Sequence, residues 1–410
     1  MAGVNIANVG LLFTRYLDGV VETLNHTSKA RTRVKKQDKW SGSHIEGRLH
    51  LQRTGAIGNT EDGGAFPTPD KQDYTPYKAY RKFSVGSIQL TDGVMATASK
   101  SKNVAKDVIT SEVKGLLREM MKYENGMFFR NGDGSVATFS NALSASASDR
   151  TVDDSRMLWE GVTYDIYDTT LATKHGTATV SSVESAPDGD NARVNFGATL
   201  SGASAGTEKA VWKGSVNRAI TGLGKLIDNS LSGTFQGVTM STAGREHYTS
   251  LVMGNSGTNR DLTPSLFRQM LAGLKQKSGD DRPANGLTVL TNAWQAIEVE
   301  ELYEGEMRLS PSDKVGGFEV TAFQSALGRI GIEVDVDATY NRMYFCDFDK
   351  IYRAVQKKLG WRRQGGSIFL RSDTAGVWTA TALEICEFYI KERHTSGRLD
   401  DLNETRSTMF

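Results

Sequence analysis

Apolar residues recur at spacings of three and four most clearly over 103–129. There Val108, Ile109, Val113, Leu116, Leu117, Met120 and Met121 share one side, while Lys106, Arg118, Glu119 and Lys122 occupy the others. This period predicts a long amphipathic helix of about 40 Å at ~1.5 Å per residue. It ends at Asn131-Gly132-Asp133-Gly134, a run suited to termination. Alternation at period two marks strands over 44–52, through Ile45, Gly47, Leu49 and Leu51, and over 80–90, around Phe83 and Val85. The turn-rich GAIGNTEDGGAFPTPDKQDYTP separates them, so the pair is expected to form one long two-stranded excursion.

Residues 160–213 are rich in Thr, Val and Gly, and predict a small β module with strands at 177–183, 192–200 and 210–212, followed by a helix over 216–227. Thr263-Pro264 supplies a capping hydroxyl and an N-terminal proline to a helix buried through Phe267, Met270, Leu271 and Leu274 and closed by Lys275, Lys277 and Gly279. A buried strand at 287–291 leads to Asn292, which caps a helix carrying Trp294, Ile297 and Leu302. Strands come next at 319–322, 330–336, 342–346 and 368–371. The stretch 378–391 fits either period, and its Thr, Ile, Phe and Tyr content favours one long strand. The class is α+β, and no 20–50-residue period indicates a solenoid.

The chain of 410 residues is long enough for several domains. Its net charge of +1 excludes a protein devoted to neutralising a phosphate backbone. The two cysteines, Cys346 and Cys386, form neither a C-x-x-C pair nor a disulfide framework and are expected as core filler. No run reaches the ~20 apolar residues of a membrane span, and the N-terminus lacks the basic lead of a secretory signal. Glycine, at 42 against 7 prolines, carries the turns.

Motifs that resemble catalytic signatures lack their contexts. Gly202-Ala203-Ser204-Ala205-Gly206 matches G-x-S-x-G, but the next residues, TEKAVWKG, read as a strand instead of the required helix. Gly132 to Ala137 fits G-x-G-x-x-A, yet a helix precedes it where a strand should. A calcium loop there would need glycine where Val136 stands. His44 and His50 lie too far apart along a strand to share a metal, and Asp335 with Asp337 reads as a solvated pair. No catalytic residue, metal or cofactor is expected. Charge is distributed more informatively: Lys29, Arg31, Arg33, Lys35, Lys36 and Lys39 form a basic arm, and Glu298, Glu300, Glu301, Glu304 and Glu306 an acidic cluster. Such opposite patches can register identical neighbours.

In their order, these pieces resemble a tailed-bacteriophage major capsid protein of the Hong Kong 97 fold. The stretches that carry the resemblance are AYRKFSVGS (79–87), FFRNGDGSVATF (128–139), GLTVLTNAWQAIEVEEL (286–302) and GWRRQGGSIFLRSDTAGVWTATALEICEFYIKERHTSGRLDDL (360–402). The resemblance implies an N-terminal arm (1–39), an extended loop (40–100), a peripheral domain with its spine helix (101–159), an inserted β module with a return helix (160–239), an axial domain (240–345), and a return to the peripheral domain with the C-terminal strand (346–410). The opening hundred residues are expected to become ordered by draping over sibling copies. Trp40, Arg48, Glu61, Asp62, Arg81 and Lys82 are expected as loop contacts between subunits. Lys35 and Lys36 are expected to meet an acidic partner, scaffold or DNA, and Glu300 and Glu301 form the opposing acidic face.

The implied function is self-assembly into hexamers and pentamers of an icosahedral head. The implied partners are a separate scaffolding protein, a portal protein, a decoration protein and non-specifically held double-stranded DNA, with no membrane. The protein would belong to the virion and assemble in the host cytoplasm. No isopeptide cross-link is expected from Lys71, Lys78 or Lys82. The rival readings are an encapsulin-type shell, a tail or baseplate protein, and a serine hydrolase pairing Ser204 with His247 or His394.

Overall fold

The computed structural model describes residues 29–38, 40–52, 54–92, 104–140, 148–184, 192–197, 206–279, 286–303, 321–325, 328–363, 368–371 and 376–404. A short helix α1 (Lys29–Arg33) precedes the long helix, which is designated α2 (Val104–Phe128). The first sheet is organised by β20 (Val377–Ile390), the long strand expected from the sequence. One edge of β20 pairs over 377–386 with the whole of β4 (Lys82–Thr91); the other pairs with β18 (Ile351–Trp361) and β19 (Phe369–Arg371). On the far edge of β18, β1 (Lys35–Gln37) adds in parallel.

A second six-stranded sheet runs β5 (Ser135–Thr138), β10 (Lys209–Trp212), β7 (Thr163–Tyr167), β8 (Lys174–Glu184), β9 (Ala192–Phe196) and β6 (Asp149–Val152). A third runs β13 (Leu251–Met253), β21 (Gly397–Leu399), β17 (Met343–Asp347), β14 (Leu287–Thr291), β16 (Gly328–Val334) and β15 (Thr321–Ser325). Against this sheet packs a core containing Phe267, Met270, Leu271 and Leu274 of α4 (Pro264–Ser278), which comes after the four-residue α3 (Leu223–Leu226). Thr263 Oγ1 accepts from the Leu266 N–H at 3.1 Å, the cap foreseen from Thr-Pro. Helix α5 (Ala293–Tyr303) succeeds β14. Two short ribbons complete the fold: β2 (His44–Gln52) with β3 (Asp73–Tyr80), and β11 (Thr234–Phe235) with β12 (Val238–Thr239).

Several expectations are corrected. The partner of β2 is β3, not 80–90; β4 instead completes the first sheet. Its inward positions are Ser84, Ile88 and Leu90, so the exposed Phe83 and Val85 mark the opposite face. The arm is not free from residue 29 onward, because α1 and β1 are seated on their own chain. The helix expected over 216–227 shrinks to α3: Asn217 sits at φ 57 and its N–H reaches Asp133 O, so the backbone before α3 is turning. β18 was not foreseen. The β module recruits β5 and β6 from before residue 160, and β21 returns to the third sheet, so the divisions at 159/160 and 345/346 are crossed by strand pairing. Gly134, at φ 88, has room for no Cβ because Ser215 O would lie 2.4 Å away, so the Asn-Gly-Asp-Gly run also seats the chain entering α3.

Candidate inter-subunit surface

The β2–β3 ribbon is half satisfied by its own chain. Leu49, Tyr77 and Ala79 point inward and are buried, with Tyr77 stacked 6.2 Å from Tyr389. The Lys78 N–H donates to Gln236 O at 2.6 Å, and Arg245 Nη2 donates to Thr75 Oγ1 at 2.9 Å. Beyond the ribbon the connection 54–72 stands out from the body. Its neck is pinned where Thr54 Oγ1 donates to Asp70 O at 3.2 Å and Asp70 Oδ2 accepts from the Gly55 N–H at 3.2 Å. At the tip, the Gly64 N–H donates to Glu61 O at 2.9 Å, closing a turn that holds Glu61 and Asp62 outward. Ile57 and Phe66 are 85% and 89% exposed there. A side chain as apolar as Phe66 is stabilised by covering it, and the described residues leave it uncovered.

The expected contact residues divide into two groups. Arg48, Glu61, Asp62, Arg81, Glu300 and Glu301 are exposed, with the Arg81 guanidinium 5.3 Å from the Phe83 ring centre. Others are engaged within the chain. Trp40 is buried in the main core, so it is not a surface contact. Lys35 meets Asp349 at 2.9 Å, and Lys82 Nζ donates to Asn217 O at 2.9 Å. Lys36 remains exposed, with its pKa lowered chiefly by desolvation and then by the Arg353 charge.

Beside the ribbon lies an open cleft of about 1420 Å³, bounded by β2, residues 242–248, the end of α4 and residues 391–394. Arg48, Arg245, Lys277 and Lys391 line it together with Tyr77 and Tyr248, and Lys391 Nζ lies 4.2 Å from the Tyr352 ring centre. His247 and His394 both border this cleft, whereas Ser204 lies outside the described residues.

Sequence reasoning missed a buried ionic cluster that fastens the arm. Glu124 of α2 accepts from Arg31 of α1 at 2.5 Å and from Arg353 of β18 at 3.3 Å, while Arg353 also binds Glu384 of β20. Cys386 Sγ lies 3.4 Å from Glu124 Oε1. Burial pushes the Glu124 pKa upward, but Arg31 and Arg353 outweigh it and hold the carboxyl down at about 2. Glu384, buried beside the Glu124 charge, is pushed up to about 8 and keeps its proton at neutral pH. Glu124, Glu384 and Cys386 converge closely enough to ligate a cation. The two guanidiniums already supply the opposing charge, so the set does not fit a metal site. Asp335, expected as solvated, is buried: Asn125 Nδ2 donates to it at 3.2 Å and to Asp337 at 2.5 Å, tying α2 to the end of β16.

No family model matches the chain, and no curated protein matches it. Among solved structures it is similar to the cyanophage A-1(L) capsid asymmetric unit, at 12% identity over 93% of this chain and 92% of that one, with a TM-score of 0.50. It is also similar to the capsid of the native GTA particle, at 8% identity over 92% and 91% of the two chains and a TM-score of 0.48. The holo-SrpI encapsulin complex from Synechococcus elongatus PCC 7942 matches at 6% identity over 93% and 88%, with a TM-score of 0.41. The chain has the α+β Hong Kong 97-type capsid fold. Among the described residues, no helix is long and apolar enough to cross a membrane.

Proposed function

We propose that the chain is a shell-forming protein, specifically the major capsid protein of a tailed phage, assembling as hexamers and pentamers around double-stranded DNA. The observation that carries this reading is the capsid fold combined with an outstanding loop whose Ile57 and Phe66 are left uncovered. A thin shell needs large contacts from each subunit, and a projecting loop buries area on a neighbour without enlarging the central core. The role is structural, not catalytic. In this reading 29–37 is an arm returned to its own body, 40–92 carries the intersubunit loop, and the sheet spanning 135–212 is the inserted module. Scaffolding, portal and decoration proteins are its partners, DNA contact is non-specific as the net charge of +1 suits, and the product resides in the virion after assembly in the host cytoplasm.

The test is particle isolation from infected or expressing cells, with nucleic acid and protein contents measured. DNA-filled heads support the reading. DNA-free shells around a protein cargo would favour the encapsulin alternative, and tubes a tail protein. On a denaturing gel the mature particles are expected to give monomer, without a covalent ladder.

A further inference from the structure

The cleft beside the ribbon gathers cations from separate parts of the chain: Arg48 from β2, Arg245 from the 242–248 segment, Lys277 from the last turn of α4 and Lys391 from just beyond β20. Its acids are already matched. Asp73 faces Arg245 at 3.5 Å, and Glu392 binds Lys350, which lies outside the lining. Lys277 Nζ donates only to neutral acceptors, Thr249 Oγ1 at 2.8 Å and Ser250 O at 3.2 Å. Arg48 is exposed and makes no ion pair among the described residues, and Lys391 rests on the Tyr352 ring. Arg48, Lys277 and Lys391 therefore stand without a counter-charge.

A further cation is buried behind the cleft wall. Arg393, between the lining residues Glu392 and His394, is 1% exposed, and its guanidinium lies 3.8 Å from the Phe235 ring centre. It donates to Leu226 O at 2.9 Å and to Lys225 O at 3.0 Å, both neutral, and its Nη1 has no hydrogen-bond partner among the described residues. A buried guanidinium without a carboxylate leaves its field uncompensated. That field reaches the lining: burial lowers the Lys277 pKa, and the Arg393 charge lowers it further. Arg245 adds a spare donor, because its Nε is shielded and unpartnered among the described residues.

Cations converging from several sides on one open cleft of about 1420 Å³ suit a compact ligand carrying several charges better than an extended acidic segment. Guanidinium forks also match the oxygens of phosphate. We infer that the cleft is a binding site for clustered phosphate oxygens, with Arg48, Lys277 and Lys391 as the contacting cations. A free oligophosphate and a nucleic-acid backbone are the two sources of that chemistry. The inference goes beyond the shell reading and does not rest on it, since one copy supplies every one of these cations.

The test is calorimetric titration of the 410-residue chain with inorganic tripolyphosphate in a chloride buffer. Saturable binding of about one ligand per chain is expected, weakening as salt rises. Arg48→Gln with Lys391→Gln should weaken it by about tenfold or more. Arg48→Glu alone, at an exposed position that folding does not depend on, should also weaken it severalfold. Lys358→Gln, on β18 outside the lining and with a side chain 76% exposed, should leave it unchanged. No saturable binding, or undiminished affinity in the cleft variants, would overturn the inference. Citrate binding as tightly as tripolyphosphate would overturn the assignment to phosphate. A short DNA duplex then separates the sources: displacement of tripolyphosphate supports the site with a nucleic-acid backbone as its ligand, and absence of displacement supports it with a free oligophosphate. Micrographs of the same samples report shell formation separately, so binding without shells leaves the site standing and removes the shell, and shells without binding do the reverse.

Discussion

Arg31, in the short helix preceding the first strand, closes a 2.5 Å ion pair with Glu124 on the long helix, and both side chains are buried. The arm is thereby part of the body from α1 onward. Replacing Arg31 with Met leaves Glu124 with Arg353 as its remaining cation. A buried pair broken on one side costs about 3–5 kcal/mol. Urea unfolding of Arg31→Met should show a loss in that range. A change under about 0.5 kcal/mol, as expected for an ordinary surface position, would contradict the fastening role.

Stability should fall as pH rises across neutrality. Burial, reinforced by the Glu124 charge, lifts Glu384 to about 8, and burial lifts Glu387 to about 7, from an ordinary value of 4.5. The folded state holds these protons more tightly than the unfolded chain does. Their contribution is complete below about pH 4.5 and is lost as pH rises through about 7 to 8. Glu124 and Asp154 act oppositely. Against the cost of burial, Arg31 and Arg353 depress the first and Arg130 and Arg156 the second, so their stabilisation is lost as pH falls below the ordinary carboxylate range. Glu384→Gln should flatten the decline in urea midpoint between pH 4.5 and 8. An unchanged slope would remove Glu384 as a cause.

Two glycines should respond with opposite signs. A Cβ on Gly222 would lie 2.3 Å from Arg130 O and 2.4 Å from Met127 O, the carbonyls at the end of α2. Backbone cannot yield there as a side-chain tip would, so Gly222→Ala is expected to cost about 1–3 kcal/mol. Gly115, inside α2, has nothing within 4 Å of the same position. Gly115→Ala should stabilise by up to about 1 kcal/mol, from helix propensity alone. Thermal unfolding of both variants checks the pair.

Ile57 and Phe66 should matter to assembly and not to folding. Their exposure of 85% and 89% leaves little native contact to lose, so Ile57→Ser with Phe66→Ser should shift unfolding by under about 0.5 kcal/mol. Sedimentation of the same protein should show loss of assembled species. Normal assembly would mean that the tip is not an anchor.

The strongly periodic elements could be read from the chain alone: α2 within one residue at either end, β14 over its full length, and β20 within one. What escaped was charge placed inside. β18 carries Arg353 among buried residues and then Lys357 and Lys358, so its composition imitates a solvated segment. β3 contains Pro76, which is tolerable because a two-stranded ribbon has only edges. The arm's attachment was equally hidden, since Arg31 and Glu124 look like solvent-facing residues until they are brought together. One signal was available: Ala380, Ala382, Glu384, Cys386 and Phe388 alternate along β20 and are all buried, so Glu384 belonged to an apolar face and required a partner. Of the residues expected at the surface, Glu61 and Asp62 are exposed on the loop, whereas Trp40 is buried in the main core, because a tryptophan after a basic run gives no sign of which side it packs on.

Electron microscopy of the chain, purified after expression on its own, addresses the shell most directly. The predicted result is closed particles of varied diameter built from sixfold and fivefold rings, the outcome for a shell protein expressed without a size-determining partner. A monodisperse monomer at concentrations where the loop surface should be occupied would contradict it.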